Sequence, residues 1–96
     1  PAPIYFISKE SSDNFANVEL DSLKNISAQR FEVEYVGNGY YKIVAEHSGK
    51  SLDILNGSEK KNANLQQYAW NSSDAQLWKF VKADNGTYYI RSKLGQ

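Results

Sequence analysis

Residues 3–49 laid over residues 50–96 at a fixed offset of 47, without a gap, give ten identities: Ile7/Ile54, Ser11/Ser58, Ala16/Ala63, Asn17/Asn64, Ala28/Ala75, Gln29/Gln76, Asn38/Asn85, Gly39/Gly86, Tyr41/Tyr88 and Ile43/Ile90. Unrelated stretches of ordinary composition would share roughly three. Val18/Leu65, Phe31/Trp78 and Val33/Phe80 add conservative pairs. This repeat restricts the fold severely, because a unit of such length cannot bury its own inner face and must pack against its copy. The expected organisation is a linker remnant at 1–3 and one domain over 4–96, built from copy one (3–49) and copy two (50–96). Pro1-Ala2-Pro3 supplies the extended linker backbone.

Within each copy the apolar period is two. Phe31 and Val33, Tyr41 and Ile43, Leu52 and Ile54, Trp78 and Phe80, and Tyr88 and Ile90 are apolar pairs in short runs that read as strands. No segment keeps the spacing of a helix. Gly37-Asn38-Gly39, Asn56-Gly57-Ser58, Asn71-Ser72-Ser73-Asp74 and Asn85-Gly86 separate the runs, and Gly and Asn tolerate the positive φ of tight turns. The chain is therefore expected to be all-β, a series of short hairpins. The same asparagines create four glycosylation acceptor patterns, at Asn25, Asn56, Asn71 and Asn85, which read first as turn chemistry.

Composition narrows the function classes. Eleven basic residues balance eleven acidic ones, which gives no electrostatic footprint for nucleic acid or an anionic membrane surface. No run is long and apolar enough for membrane insertion. Cysteine is absent and histidine occurs once, so disulfide bracing, thiolate metal sites and a Cys–His pair are excluded; His47 beside Glu46 is expected in a solvated turn, as is Glu59-Lys60-Lys61. No serine stands in a nucleophile-elbow context, and no two carboxylates are spaced to face one cleft. The expectation is a non-enzyme without cofactor.

Copy two carries an ordered set of motifs: Gly49-Lys50-Ser51-Leu52-Asp53-Ile54, then Asn64-Leu65-Gln66-Gln67-Tyr68, then Ala75-Gln76-Leu77-Trp78, with Asn-Gly-x-Tyr-x-Ile following. Copy one retains mainly Gln29-Arg30-Phe31 and its Tyr-x-Ile strand. This pattern resembles the ricin B-chain-like Gln-x-Trp lectin repeat of β-trefoil carbohydrate-binding modules. The resemblance implies a β-trefoil present as two four-strand repeats of the usual three, entered on the second strand of one unit at residues 4–8 and left after the first strand of another at 87–90. A third repeat, in cis or in trans, is then expected to cover an apolar face and unpaired strand edges.

The resemblance also assigns roles. Asp53 stands where the family's carboxylate accepts hydrogen bonds from sugar hydroxyls, and Tyr68 where an aromatic stacks on the pyranose ring. Gln76 holds the carboxylate, Gln66 is a further polar contact, and Trp78 is core. Trp70 is the alternative platform, since two residues along a strand return to the same face. The family's Asn before the Gln is Ala75 here, which removes one ligand hydrogen bond. Copy one has Phe6, Asp21 and Ala28 at the Asp, aromatic and Asn positions and is expected to be structural only. The implied function is carbohydrate binding, with galactose-type sugars as the candidate ligands, in an accessory domain of a secreted glycoside hydrolase or toxin; a trefoil interaction or spacer domain with a decayed site is the alternative.

Overall fold

The computed structural model describes residues 5–8, 15, 18–21, 26–59, 63–82 and 88–95, with 5–8 and 18–21 described as backbone only. Pro1-Ala2-Pro3, Asn25, Lys60-Lys61, Asn85-Gly86-Thr87 and the side chains of Phe6 and Asp21 lie outside the described residues. Among the described residues eight strands run in chain order: β1 (Tyr5–Ser8), β2 (Val18–Asp21), β3 (Phe31–Gly37), β4 (Tyr40–Ala45), β5 (Ser51–Ile54), β6 (Leu65–Tyr68), β7 (Trp78–Lys82) and β8 (Tyr88–Ser92). Single 3-10 turns occupy Ser27–Gln29, Leu55–Gly57 and Asp74–Gln76. Adding 47 to the bounds of β2 gives those of β6, and adding 47 to the first of these turns gives the third.

The strands pair two by two as antiparallel hairpins: β1 with β2, β3 with β4, β5 with β6, and β7 with β8. The β3–β4 hairpin shows why its turn has the sequence it does. Gly37, Asn38 and Gly39 all take positive φ (104°, 55° and 84°), a run that glycine and asparagine adopt with little steric penalty. A bulge between Tyr35 and Gly37 lets the strands enter it. One edge of β4 is paired to β3 along its length. β4 also meets β5 at Val44 opposite Ser51 and β7 at Tyr41 opposite Trp78.

The core is small and lies between β4, β5 and β7. Ile43, Leu52, Ile54, Ala75 and Trp78 are its buried members, with Phe31, Leu65, Phe80 and Leu94 packed around them. Trp78 is thus core, and its indole N–H donates to the Leu52 carbonyl at 3.2 Å, tying β7 to β5. Not every alternating apolar side chain is inward: Val33 and Tyr35 on β3 and Tyr88, Tyr89 and Ile90 on β8 are exposed. His47 departs from the solvated position expected for it. It is half-buried, because the turn it occupies folds back on β4 through Gly49 N–H to Ala45 carbonyl, 2.8 Å.

Candidate functional site

The register of the β5–β6 hairpin sets Asp53 opposite Gln66 and Ser51 opposite Tyr68. With a period of two these four side chains project to one face, while Leu52, Ile54 and Leu65 project to the other and join the core. A cross-strand pair of a carboxylate and an amide is close enough to bond directly, and Gln66 Nε2 donates to Asp53 Oδ1 at 3.1 Å.

Gln76 supplies the second brace. It has no exposed surface, and its Nε2 donates both to Asp53 Oδ2 and to the Ala69 carbonyl, each at 2.9 Å. Its Oε1 accepts from the Asn71 backbone N–H at 2.8 Å. Both amide hydrogens and the oxygen are engaged inside the protein. Gln76 therefore backs the carboxylate from behind and fixes the loop after β6. With Trp78 holding the Leu52 carbonyl, the Gln-x-Trp segment grips two consecutive residues of β5. Copy one keeps Gln29 but has Phe31, which carries no N–H, and Phe6 in place of the carboxylate.

Asp53 is only 6% exposed, yet it lines an open groove of about 420 Å³ together with Gln66, Tyr68, Asn71, Ser73 and Ala75. Two of the roughly four acceptor positions of a carboxylate are occupied by the amides, which leaves acceptor capacity for ligand hydroxyl donors. Tyr68, half-buried, forms a wall beside it. Ala75 brings only a methyl group to the groove, and Asn71 and Ser73 lie on it as well. Asn71 Oδ1 is occupied by the Ser73 backbone N–H at 3.0 Å. Asp74 at the rim pairs with Lys93 Nζ at 3.2 Å.

Of the residues singled out from sequence, Asp53, Gln66 and Tyr68 meet on the groove, and Gln76 meets them from the protein side. Trp70 does not line it. β6 ends at Tyr68, so strand parity does not extend to Trp70, whose ring carries Lys42 Nζ 4.9 Å from its centroid. Phe15 is a groove residue that sequence reasoning missed, as are Asn71, Ser73 and Asp74, which it read only as turn chemistry. The Phe15 ring centroid lies 5.1 Å from that of Tyr68 with the planes at 70°, and no repeat identity or motif marks Phe15.

Fold and groove together define a β-trefoil module with a polar-aromatic site built on a β-hairpin. The chain belongs to the ricin-type beta-trefoil lectin domain-like family, whose model matches residues 27–96. It is 33% identical over 60 residues to a β-agarase of Agarivorans albus, spanning 62% of this chain and 13% of that enzyme's length. Among solved structures it superposes on ThreeFoil, a designed three-fold symmetric protein, with a TM-score of 0.89 and 34% identity, covering 95% of this chain and 65% of ThreeFoil. An exo-β-1,3-galactanase from Clostridium thermocellum superposes with a TM-score of 0.84 and 29% identity over 96% of this chain and 22% of that one. A mosquitocidal holotoxin shares the fold, with a TM-score of 0.85 and 21% identity over 96% of this chain and 11% of the toxin.

Proposed function

We propose that the chain is a non-catalytic carbohydrate-binding module that holds a larger secreted protein, a glycoside hydrolase or a toxin, on its glycan target. The observation that carries this reading is the Asp53 carboxylate, braced by two amides and facing an open groove beside Tyr68. Asp53 accepts hydrogen bonds from sugar hydroxyls, Gln66 adds a polar contact, and Tyr68 stacks on the C–H face of the pyranose. Galactose is the first sugar to test, because two of the relatives are named as an agarase and a β-1,3-galactanase and both names denote galactose-containing polymers. A single shallow site of this kind binds weakly, on the order of 0.1–1 mM, or about −4 to −5.5 kcal/mol, and gains avidity from multivalent display.

A glycan array followed by calorimetric titration with galactose and N-acetylgalactosamine tests the reading. Saturable binding that Asp53→Ala abolishes and Asp21→Ala leaves intact supports it. No response to any glycan from a three-repeat version of the protein returns the chain to the alternative of an interaction or spacer domain. A third repeat, in cis or in trans, fits the exposed Val33, Tyr35, Tyr88, Tyr89 and Ile90 and the 65% coverage of a three-fold protein. Compact monomeric sedimentation of this chain without binding of an apolar dye would count against it.

A further inference from the structure

Phe15 stands on the groove without a counterpart in the repeat, since the offset pairs it with Asn62. Its side chain is 61% exposed, although it is held firmly at two points. The backbone N–H donates to the Gln67 carbonyl of β6 at 2.8 Å, and the ring meets Tyr68 edge to face. Its φ is 70°, in the left-handed region that costs a residue with a Cβ about 1–2 kcal/mol. A core filler would be covered. This ring is presented to the groove in a backbone conformation that disfavours it, beside the aromatic that serves as the sugar platform.

We infer that Phe15 is a second aromatic wall that contacts the next ring of a glycan whose first ring lies on Tyr68, so that the site selects neutral oligosaccharides over the monosaccharide. The inference rests on the sugar-site reading of Asp53 and Tyr68. Two ring planes 70° apart cannot both stack on one pyranose, but each can meet one of two rings turned relative to each other about a glycosidic bond. A groove of about 420 Å³ lies in the roughly 300–1,000 Å³ range of sites that enclose ligands larger than a single six-membered ring. The Asp53 carboxylate on its wall disfavours anionic sugars and matches neutral ones, while Asp74 is compensated by Lys93.

The test is calorimetric titration of the full chain with galactose and with β-1,3-galactotriose. The expected result is at least a tenfold preference for the trisaccharide. Phe15→Gly, which accommodates the left-handed φ, should weaken trisaccharide binding about tenfold more than galactose binding and so remove that preference; Phe15→Trp should keep it. Phe15→Leu, which keeps bulk without a π face, is the third variant and should also lose the preference, and thermal unfolding checks that each is folded. Equal affinity of the unaltered protein for both sugars, an unchanged preference in Phe15→Gly, or an equal loss for both sugars in that variant overturns the inference; the last would make Phe15 a support for Tyr68. A protein that binds neither sugar, with Tyr68→Ala changing nothing, fails at the underlying site reading instead.

Discussion

Replacing Gln76 by alanine removes a brace, two backbone partners and buried volume in one step. The bond from Nε2 to the ionised Asp53 contributes about 1.5–3 kcal/mol and each of the two bonds to backbone groups about 0.5–1.5 kcal/mol. Ala69 carbonyl and Asn71 N–H lose their side-chain partner, and the Asp53 carboxylate retains one amide donor, Gln66 Nε2. Access of water from the groove offsets part of the loss, so the expected destabilisation is about 3–4 kcal/mol. Small domains are stable by only about 5–15 kcal/mol, and with a urea slope of about 1–1.5 kcal/mol/M the midpoint should fall by about 2–4 M. Tryptophan fluorescence during urea unfolding gives the measurement, since Trp78 leaves the core. The double variant Asp53→Ala/Gln76→Ala should show a coupling of about 1–3 kcal/mol. A loss below about 1 kcal/mol in Gln76→Ala, or additivity in the cycle, would refute the view that this amide is built into the fold.

Three further outcomes follow from the same geometry. Trp78→Phe deletes the donor to the Leu52 carbonyl and should lower stability by about 1–3 kcal/mol in thermal unfolding, with glycan affinity unchanged within about twofold. Ala75→Asn reinstates an amide on the groove wall and should tighten galactose binding by about five- to tenfold in calorimetry, equivalent to about 1–1.4 kcal/mol; because Ala75 belongs to the core cluster, some stability should be lost with it. Tyr68→Ala should weaken binding by at least about tenfold, whereas Trp70→Ala should change it less than about twofold, as read from glycan affinity chromatography.

Much of the architecture was legible because repetition and strand parity are local signals. The offset of 47 aligns β2 with β6 and one 3-10 turn with another, and alternation marks Leu52, Ile54 and Trp78 as inward. Parity failed where its physical premise lapsed. Ser51 and Gln67 are buried although their polarity alone assigns them to solvent: Gln67 stands opposite Leu52 on the core-facing side and Ser51 opposite Tyr68. Trp70 looked equivalent to Tyr68 only while the strand was assumed to continue. Phe15 could not be read at all, since its place depends on a left-handed φ and on a contact between the two copies.

The link from Phe15 to β6 separates the unit that repeats in the sequence from the unit that forms the groove. A boundary drawn between residues 49 and 50 divides the chain into its two sequence copies, yet it also cuts the groove, leaving Tyr68 and the Gln67 carbonyl on one side and the aromatic attached to them on the other. Shuffling whole repeats between related chains would therefore exchange scaffold faithfully while altering recognition. Swaps cut within the β2–β3 segment, which keep Phe15 outside the exchanged piece, would do so differently. In this molecule the seam between copies is where the aromatic lining of the groove can change without touching the core cluster.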